Sequence, residues 1–330
     1  MQPNIANPLA DFSQKRSVET TLKPASRRFT PSHPMRLSKA NFSVPPMIIA
    51  ALLLLSFTTA SRAQIIQHFH VTAGAASTSV GSPLYFTDAD SFLAESGYVA
   101  NMPLITNTFL PTIGYYMGGP TFTAASNDGS ADSPAASGAR IALVVRAVAG
   151  PVGGHWSFWE TSGNEEYGET ITFSYATGTT NGTNSFLLSE NTGQPGEDPY
   201  GHIHGRSFTT DKPGLYSVWV QLIDTSRNGP GGGPIHTPSP LYRYYFQAGT
   251  SIARIDRTNS SVVITFGTQP SNAARQYAYF LDAASTLDEP PGWTTIAGPL
   301  SGNNHLRSFT DTPPAAAPHR FYRLRVTTSP

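Results

Sequence analysis

The sequence predicts an all-β protein in which two β-sandwich domains follow a cleaved signal peptide. Residues 64–330 are rich in Thr, Val, Tyr and Phe, and Gly and Pro interrupt them at intervals of about ten residues. Long helical periodicity is absent. Many short strands at this spacing are typical of sandwiches.

The N-terminal segment has the order of a secretory signal peptide. Residues 1–46 are polar and basic, residues 47–60 form an apolar run, and Ser61-Arg62-Ala63 is a small-x-small cleavage site. The apolar run is too short for a typical membrane span, although an uncleaved anchor is the alternative. We therefore expect residues 1–63 to be a signal peptide with an extended basic leader, and the mature protein to begin at Gln64. It would be secreted or otherwise extracytoplasmic, in the periplasm or at the cell surface, with no stable membrane span after cleavage.

Removal of this leader makes the chain acidic. The whole sequence has 21 basic and 21 acidic residues, and the leader contains eight and two of them. The remainder keeps 21−8 = 13 basic and 21−2 = 19 acidic residues, a net charge of −6. An acidic surface without basic clusters argues against nucleic-acid binding. Since there is no cysteine, the core must stabilise the exported protein without disulfides.

Eight strands are the clearest in the sequence, and they divide between two domains. The boundary is placed near Gly249, which gives a His-rich sandwich over residues 64–249 and a small fibronectin- or immunoglobulin-like sandwich over residues 250–330. In residues 215–224, alternation puts Tyr216, Val218, Val220 and Leu222 on the core face, and Ser217, Trp219 and Gln221 on the other. The eight predicted strands are 139–147, 170–176, 185–189, 215–224, 242–247, 261–267, 276–282 and 320–326.

A glycine two residues before Tyr216 predicts a tyrosine corner. In this folding device the phenol hydroxyl bonds back to nearby backbone, and it carries no catalytic role. The upstream segment HWSFWE alternates its aromatic residues, so one side of that strand is expected to be core and the other to offer an aromatic ring to a sugar.

Two segments resemble known families. The segments 156–178 and 199–224, with His202, His204, Phe208, Thr209 and Pro213-Gly214-x-Tyr216, are similar to a bacterial surface-anchored wall-repeat (choice-of-anchor) family over about residues 64–249. The resemblance implies an exported β-sandwich module, with some members linked to metal transport systems. The 330 residues contain no LPxTG-like motif, so we do not expect the wall anchoring that the resemblance implies. Residues 275–324 resemble a small C-terminal sandwich found in secreted bacterial proteins.

Histidines provide the one pattern that indicates chemistry. His68-Phe69-His70 and His202-Ile203-His204 are both His-x-His pairs, and on a strand each pair directs two imidazoles to one side. Two such pairs on neighbouring strands would form a four-nitrogen site for Zn²⁺ or Cu²⁺. His155 and His236 are further candidate ligands, and Glu160, Glu197 or Asp198 would supply an oxygen. The alternative is that the histidines bond loop backbone and have no ligand.

Other site patterns are weaker. The HIHG segment lacks the glutamate that a cupin metal motif requires. A copper brace needs an N-terminal histidine, whereas the predicted first residue is Gln64. Glu160 and Glu165-Glu166 suggest a glycosidase carboxylate pair, but the sequence gives no separation between them, and solvated loop acids are the favoured interpretation. No nucleophile elbow is present in the sequence.

Three functions follow in order of preference. The first is an exported, non-catalytic binding protein that holds a divalent metal, zinc in preference to copper. The second is a structural or adhesive surface protein with incidental histidines and a cell-surface glycan or protein as partner. The third, a metal-dependent hydrolase or oxygenase, ranks last because no general base stands beside the histidines.

Overall fold

A computed structural model describes most of the chain after the predicted leader. The described residues are 68–106, 110, 112–125, 133–160, 170–195, 197, 206–258, 260–271, 276–287, 292–314 and 319–329. The predicted signal peptide, residues 1–63, lies outside them. Ala63–Pro330 belong to one compact unit. None of the helices in the described part has the length and apolar character needed to cross a membrane.

The predicted all-β class is confirmed. All eight strands predicted from the sequence are present, with ends shifted by at most three residues. Short 3-10 turns at Ala89–Ser91, Ala94–Ser96 and Pro230–Gly232 are the helical elements of the described part. The described strands are β1 (His68–Ala75), β2 (Leu84–Phe86), β3 (Ala100–Met102), β4 (Tyr116–Met117), β5 (Gly119–Ala124), β6 (Arg140–Ala149), β7 (His155–Glu160), β8 (Thr170–Ala176), β9 (Ser185–Glu190), β10 (Arg206–Thr210), β11 (Gly214–Asp224), β12 (Tyr242–Ala248), β13 (Ile252–Arg257), β14 (Val262–Gly267), β15 (Gln276–Ala284), β16 (Thr294–Ser301), β17 (Leu306–Asp311) and β18 (Phe321–Ser329).

The first twelve strands form a sandwich of two layers. One layer contains the sheets β2-β1-β5 and β4-β10-β7-β8, which meet where the Gly118 N–H donates to the Phe208 carbonyl at 3.2 Å. The other layer is the sheet β3-β12-β11-β6-β9. Aromatic rings join the layers: Phe158 of β7 stacks on Phe186 of β9 with 4.2 Å between ring centres, and Phe86 of β2 contacts Tyr242 of β12 at 4.9 Å.

Strand β11 is the central strand of the second layer, and its sequence pattern explains its position. Residues along it alternate strictly between buried and half-buried, with Tyr216, Val218, Val220 and Leu222 facing the core. This confirms the face predicted from the sequence. Residues Ser217, Trp219 and Gln221 therefore lie on the outer face of the sheet.

The last six strands enclose a separate apolar cluster. The sheets β13-β14-β17 and β16-β15-β18 contribute to it. Its fully buried members include Ile264 and Phe266 of β14 and Leu281 of β15. Phe266 stacks on Tyr279 at 6.0 Å between ring centres, so both sheets pack on one core.

An acidic residue organises the outer face of β15. Asp282 accepts hydrogen bonds from Arg325 at 3.2 Å, from Arg323 at 3.0 Å and from the Thr295 hydroxyl at 2.8 Å. The bonds from Arg325, with those from Thr295 and Arg323, lower the pKa of Asp282 to about 2 despite its burial. The carboxylate therefore stays charged and holds both arginines against their strand.

A polar seam connects the two apolar clusters. The Val99 N–H donates to the Asn304 carbonyl at 2.8 Å, and the Leu306 N–H donates to the Gly97 carbonyl at 3.0 Å. The buried amide of Asn101 donates to the Thr268 carbonyl at 3.2 Å and to the Asn304 side chain at 2.9 Å. Besides these backbone and amide hydrogen bonds, the rings of Tyr98 and His305 meet edge to face at the seam, with 6.0 Å between their centres.

The predicted tyrosine corner is present. The fully buried Tyr216 donates its hydroxyl to the Lys212 carbonyl at 3.1 Å. Burial, together with the charge of Asp211, raises the pKa of Tyr216 to about 12. Gly154 makes room for the phenol, because a Cβ there would lie 2.5 Å from the Tyr216 hydroxyl. The hydroxyl bond therefore fastens the start of β11 to the turn between β10 and β11, and the phenol lies against Gly154 in the turn that precedes β7.

Replacing Tyr216 with phenylalanine should lower the free energy of unfolding by about 1–2 kcal/mol, because the Lys212 carbonyl loses its donor while the ring still fills its site. Urea unfolding measures this loss. Zinc affinity should not change, and a variant that lost zinc at unchanged stability would contradict the structural role.

Candidate functional site

The first His-x-His pair lies on β1. Phe69 points into the core, where its ring centre is 4.4 Å from Phe92 and 5.0 Å from Tyr98. His70 is exposed on the opposite face of β1 and pairs in register with Thr121 of β5. His68 pairs with Gly119. An imidazole at position 70 is thus open to solvent on the outside of the first layer.

The second pair, His202 and His204, lies outside the described residues. The described chain resumes at Arg206, the first residue of β10, which pairs with Glu160 at the end of β7. Strand β10 is bonded to β4 and β7, and β1 is bonded to β2 and β5. The strand that carries His70 and the strand that follows His204 are therefore not direct neighbours in the described sheets.

His155 fastens a turn. Its Nδ1 lies 2.8 Å from Asp211 Oδ2, and its backbone N–H donates to Asp211 Oδ1 at 2.7 Å. It begins β7, at the opposite end of that strand from Glu160. The β4–β5 segment and β10 stand between β7 and β1, so about 14 Å of strand spacing separates His155 from His70. The structure does not bring these two imidazoles together.

His236 is a buried structural residue. Its Nε2 accepts the Ala136 N–H at 2.9 Å, and its Nδ1 lies 3.1 Å from the Ser82 carbonyl, which requires the hydrogen on Nδ1. Both ring nitrogens are committed to backbone, so neither has a lone pair for a metal. The expectation that His236 is a ligand is replaced by a structural assignment.

Asp224 holds the loop on which His236 lies. Its carboxylate accepts four backbone N–H groups, from Arg140 at 3.0 Å, Ser226 at 2.8 Å, Ile235 at 2.8 Å and His236 at 3.0 Å. Burial raises the pKa of this carboxyl, but the backbone donors outweigh burial and the net pKa is lowered. Asp224 and His236 together fasten the Gly/Pro-rich loop 228–240 to the sandwich.

The acidic residues considered as oxygen ligands have other partners. Glu160 accepts Arg206 at 2.9 Å. The Thr192 hydroxyl lowers the pKa of Glu197, and backbone N–H groups of residues 192–194 add to this effect. Asp198 lies outside the described residues. Within the part of the chain that the structure describes, no three histidine or acidic side chains form a group able to hold a metal ion.

The aromatic residues of β7 are all buried, including the one expected to meet a sugar. Trp156 and Phe158 face the interior. A register shift follows Phe158, and Trp159 is covered by Tyr115 at 5.4 Å between ring centres and bonded through Nε1 to Thr209 Oγ1 at 2.7 Å. No ring of this strand is free to stack on a ligand.

The outer face of β11 and β12 presents a different aromatic surface. Trp219 of β11 pairs in register with Arg243 of β12, and Tyr245 lies two residues farther along β12. The Arg243 guanidinium carbon is 5.9 Å from the Trp219 ring centre and 5.4 Å from that of Tyr245. Glu95 binds Arg243 at 3.0 Å and fixes its position. We call Trp219, Arg243 and Tyr245 the outer platform.

The sequence predicts which side chains of the platform face outward, but not which of them lie opposite each other. Alternation in β11 placed Trp219 on the outer face, and the run YRYYF alternates in the same way on β12. The register that puts Arg243 opposite Trp219 depends on long-range pairing, which no local pattern specifies.

Comparisons with protein-family models and with curated proteins find no match to this chain.

Proposed function

We propose that this chain is an extracytoplasmic, non-catalytic binding protein that recognises polysaccharide at the outer platform. The observation that supports the proposal most directly is the arrangement of two half-buried aromatic rings around a fixed guanidinium on an outer sheet face. Rigid aromatic side chains provide a large contact area at little entropic cost, and Trp, Tyr and Arg are the residues enriched in binding surfaces. Arg243 lies over both rings, and the ring surface that it leaves uncovered would suit the C–H surface of a pyranose ring.

The buried polar groups support a non-catalytic role. Asp224, His236 and Asp282 are each bonded to backbone or arginine in arrangements that stabilise the fold. Because these hydrogen bonds occupy their polar atoms, these side chains do not exchange protons with a substrate. The leader sequence supports export, and the acidic net charge of residues 64–330 argues against nucleic acid as a partner.

The platform is tested by replacing Trp219 and Tyr245 with alanine. Retention on immobilised polysaccharides in affinity electrophoresis should fall at least tenfold, because each stacking residue in a binding surface is worth about 1–2 kcal/mol. Trp293→Ala is the matched control, since Trp293 is also half-buried beneath an arginine, with Arg323 at 4.5 Å, but lies on the C-terminal sandwich. Equal loss in the control and the platform variant would contradict the assignment.

A divalent metal held by the His-x-His pairs is the second candidate function. It is favoured by the solvent-exposed position of His70 on the face of β1 opposite Phe69. Zinc is the preferred ion for neutral imidazoles, and copper is the alternative. The proposed ligands are now His68, His70, His202 and His204, without His155 and His236.

Zinc added to chelator-treated protein should raise the melting temperature, since an ion that binds the folded state stabilises it by mass action. At a hundredfold excess over the dissociation constant, the gain is about 2.7 kcal/mol. The effect should vanish when His202 and His204 are both replaced by alanine and should persist in His305→Ala. An unchanged melting temperature in the wild type would exclude this function.

A further inference from the structure

We propose that a groove beside the outer platform binds the carboxylate of an acidic saccharide, with Arg146 as the guanidinium that receives it. This inference rests on the proposed function and names the class of polysaccharide. The groove is open to solvent and has a volume of about 350 Å³. It is lined by Arg146, Thr180, Asn181, Gly182, Thr183, Gln221 and Leu241.

The groove continues the outer platform along the same sheet. Gln221 follows Trp219 by two residues on β11, so their side chains share the outer face and lie about 7 Å apart. Trp219 pairs with Ala147 of β6 and Val220 pairs with Val145, so Arg146 between them has no register partner on β11. Its side chain reaches over the sheet to Gln221. An oligosaccharide stacked on the platform would therefore extend into the groove.

Arg146 is held in place by neutral partners. Its Nε donates to Gln221 Oε1 at 3.0 Å, and its Nη1 lies 3.4 Å from the Gly182 carbonyl. Gln221 is in turn fixed by its bond to the Ser239 carbonyl at 2.8 Å. Among the described bonds of Arg146, none goes to a carboxylate, so its positive charge is oriented but not neutralised.

The lining of the groove matches an acidic sugar. Thr180, Asn181, Thr183 and Gln221 provide hydroxyl and amide groups that could bond sugar hydroxyls, and none of the described residues that line the groove is acidic. A guanidinium binds a carboxylate through two parallel hydrogen bonds. Residues 64–330 are acidic as a whole, with a net charge of −6 by the count above (13 basic against 19 acidic residues), so a groove with a cation and no acid is a local exception. This complementarity favours a uronic acid polymer.

The experiment compares polygalacturonate with the same polymer after methyl esterification, which removes the negative charge and keeps the sugar. Wild-type protein should bind the acid form at least tenfold more tightly, with the preference decreasing as salt is added. Arg146→Gln should abolish the preference for the acid polymer while keeping the affinity for the ester. Arg146→Lys should keep only part of that preference. A preference that survived in Arg146→Gln would overturn the inference.

A second variant tests the groove in case Arg146→Gln does not fold. Leu241 is 57% exposed at the groove, so Leu241→Glu should fold normally. Its negative charge should repel the carboxylates and lower the affinity for the acid polymer, but not the affinity for the ester. Equal binding of both polymers by the wild type would overturn the acidic-saccharide inference while the proposed function stands. Failure of the wild type to bind either polymer or any neutral polysaccharide would overturn both.

Discussion

Replacing Phe158 with alanine is expected to lower the free energy of unfolding by about 3–5 kcal/mol. The Phe158 ring is fully buried between the two layers. Its ring centre lies 4.2 Å from that of Phe186, 5.3 Å from Phe173 and 5.6 Å from Phe208. Alanine would leave a cavity lined by three aromatic rings attached to three different strands, which cannot collapse together to fill it.

Urea unfolding of the wild type and the variant measures the effect. Phe158→Leu should recover more than half of the loss because it refills most of the cavity, and Val152→Ala, at a side chain that is 95% exposed, should change nothing. A loss below 1 kcal/mol for Phe158→Ala would show that the layers do not depend on this contact.

Replacing Asp224 with asparagine should cost about 2–4 kcal/mol, because an amide presents an N–H where four backbone N–H groups need acceptors. Loop 228–240 would lose its main attachment, and its amide hydrogens should exchange faster. Asp256→Asn is the control: this carboxylate is paired with Arg254 at an exposed site and should matter little.

The same carboxylate predicts a pH dependence. The folded-state pKa of Asp224 is lowered relative to the unfolded value of about 3.9, so its contribution is complete above that value and is lost as the pH falls through the folded pKa. The stability difference between the wild type and Asp224→Asn should therefore be constant near neutral pH and shrink in acid. A difference that grew in acid would contradict the assignment.

Local patterns were enough to predict eight of the eighteen described strands and the inner face of β11. The alternation of Tyr216, Val218, Val220 and Leu222 reports burial directly, and Gly214 marked the tyrosine corner. These features depend on residues close in sequence, which is why the sequence alone contains them.

The roles of the histidines and of the Trp159 ring depended on distant partners. His236 is bonded to residues 100 and 154 positions away, so nothing near it in the sequence distinguishes a buried structural imidazole from a ligand. The register shift after Phe158 and the cover from Tyr115 bury a tryptophan that regular alternation would leave on the surface. In each case, long-range packing decided the environment of a side chain whose local sequence was uninformative.

The polar seam has a consequence for how the protein would behave in solution. Because backbone pairing through Gly97, Val99, Asn304 and Leu306 joins the sandwiches, they should tumble as a single particle with one rotational correlation time. A glycan bound at the platform would then keep a constant orientation relative to β18 while the protein tumbles.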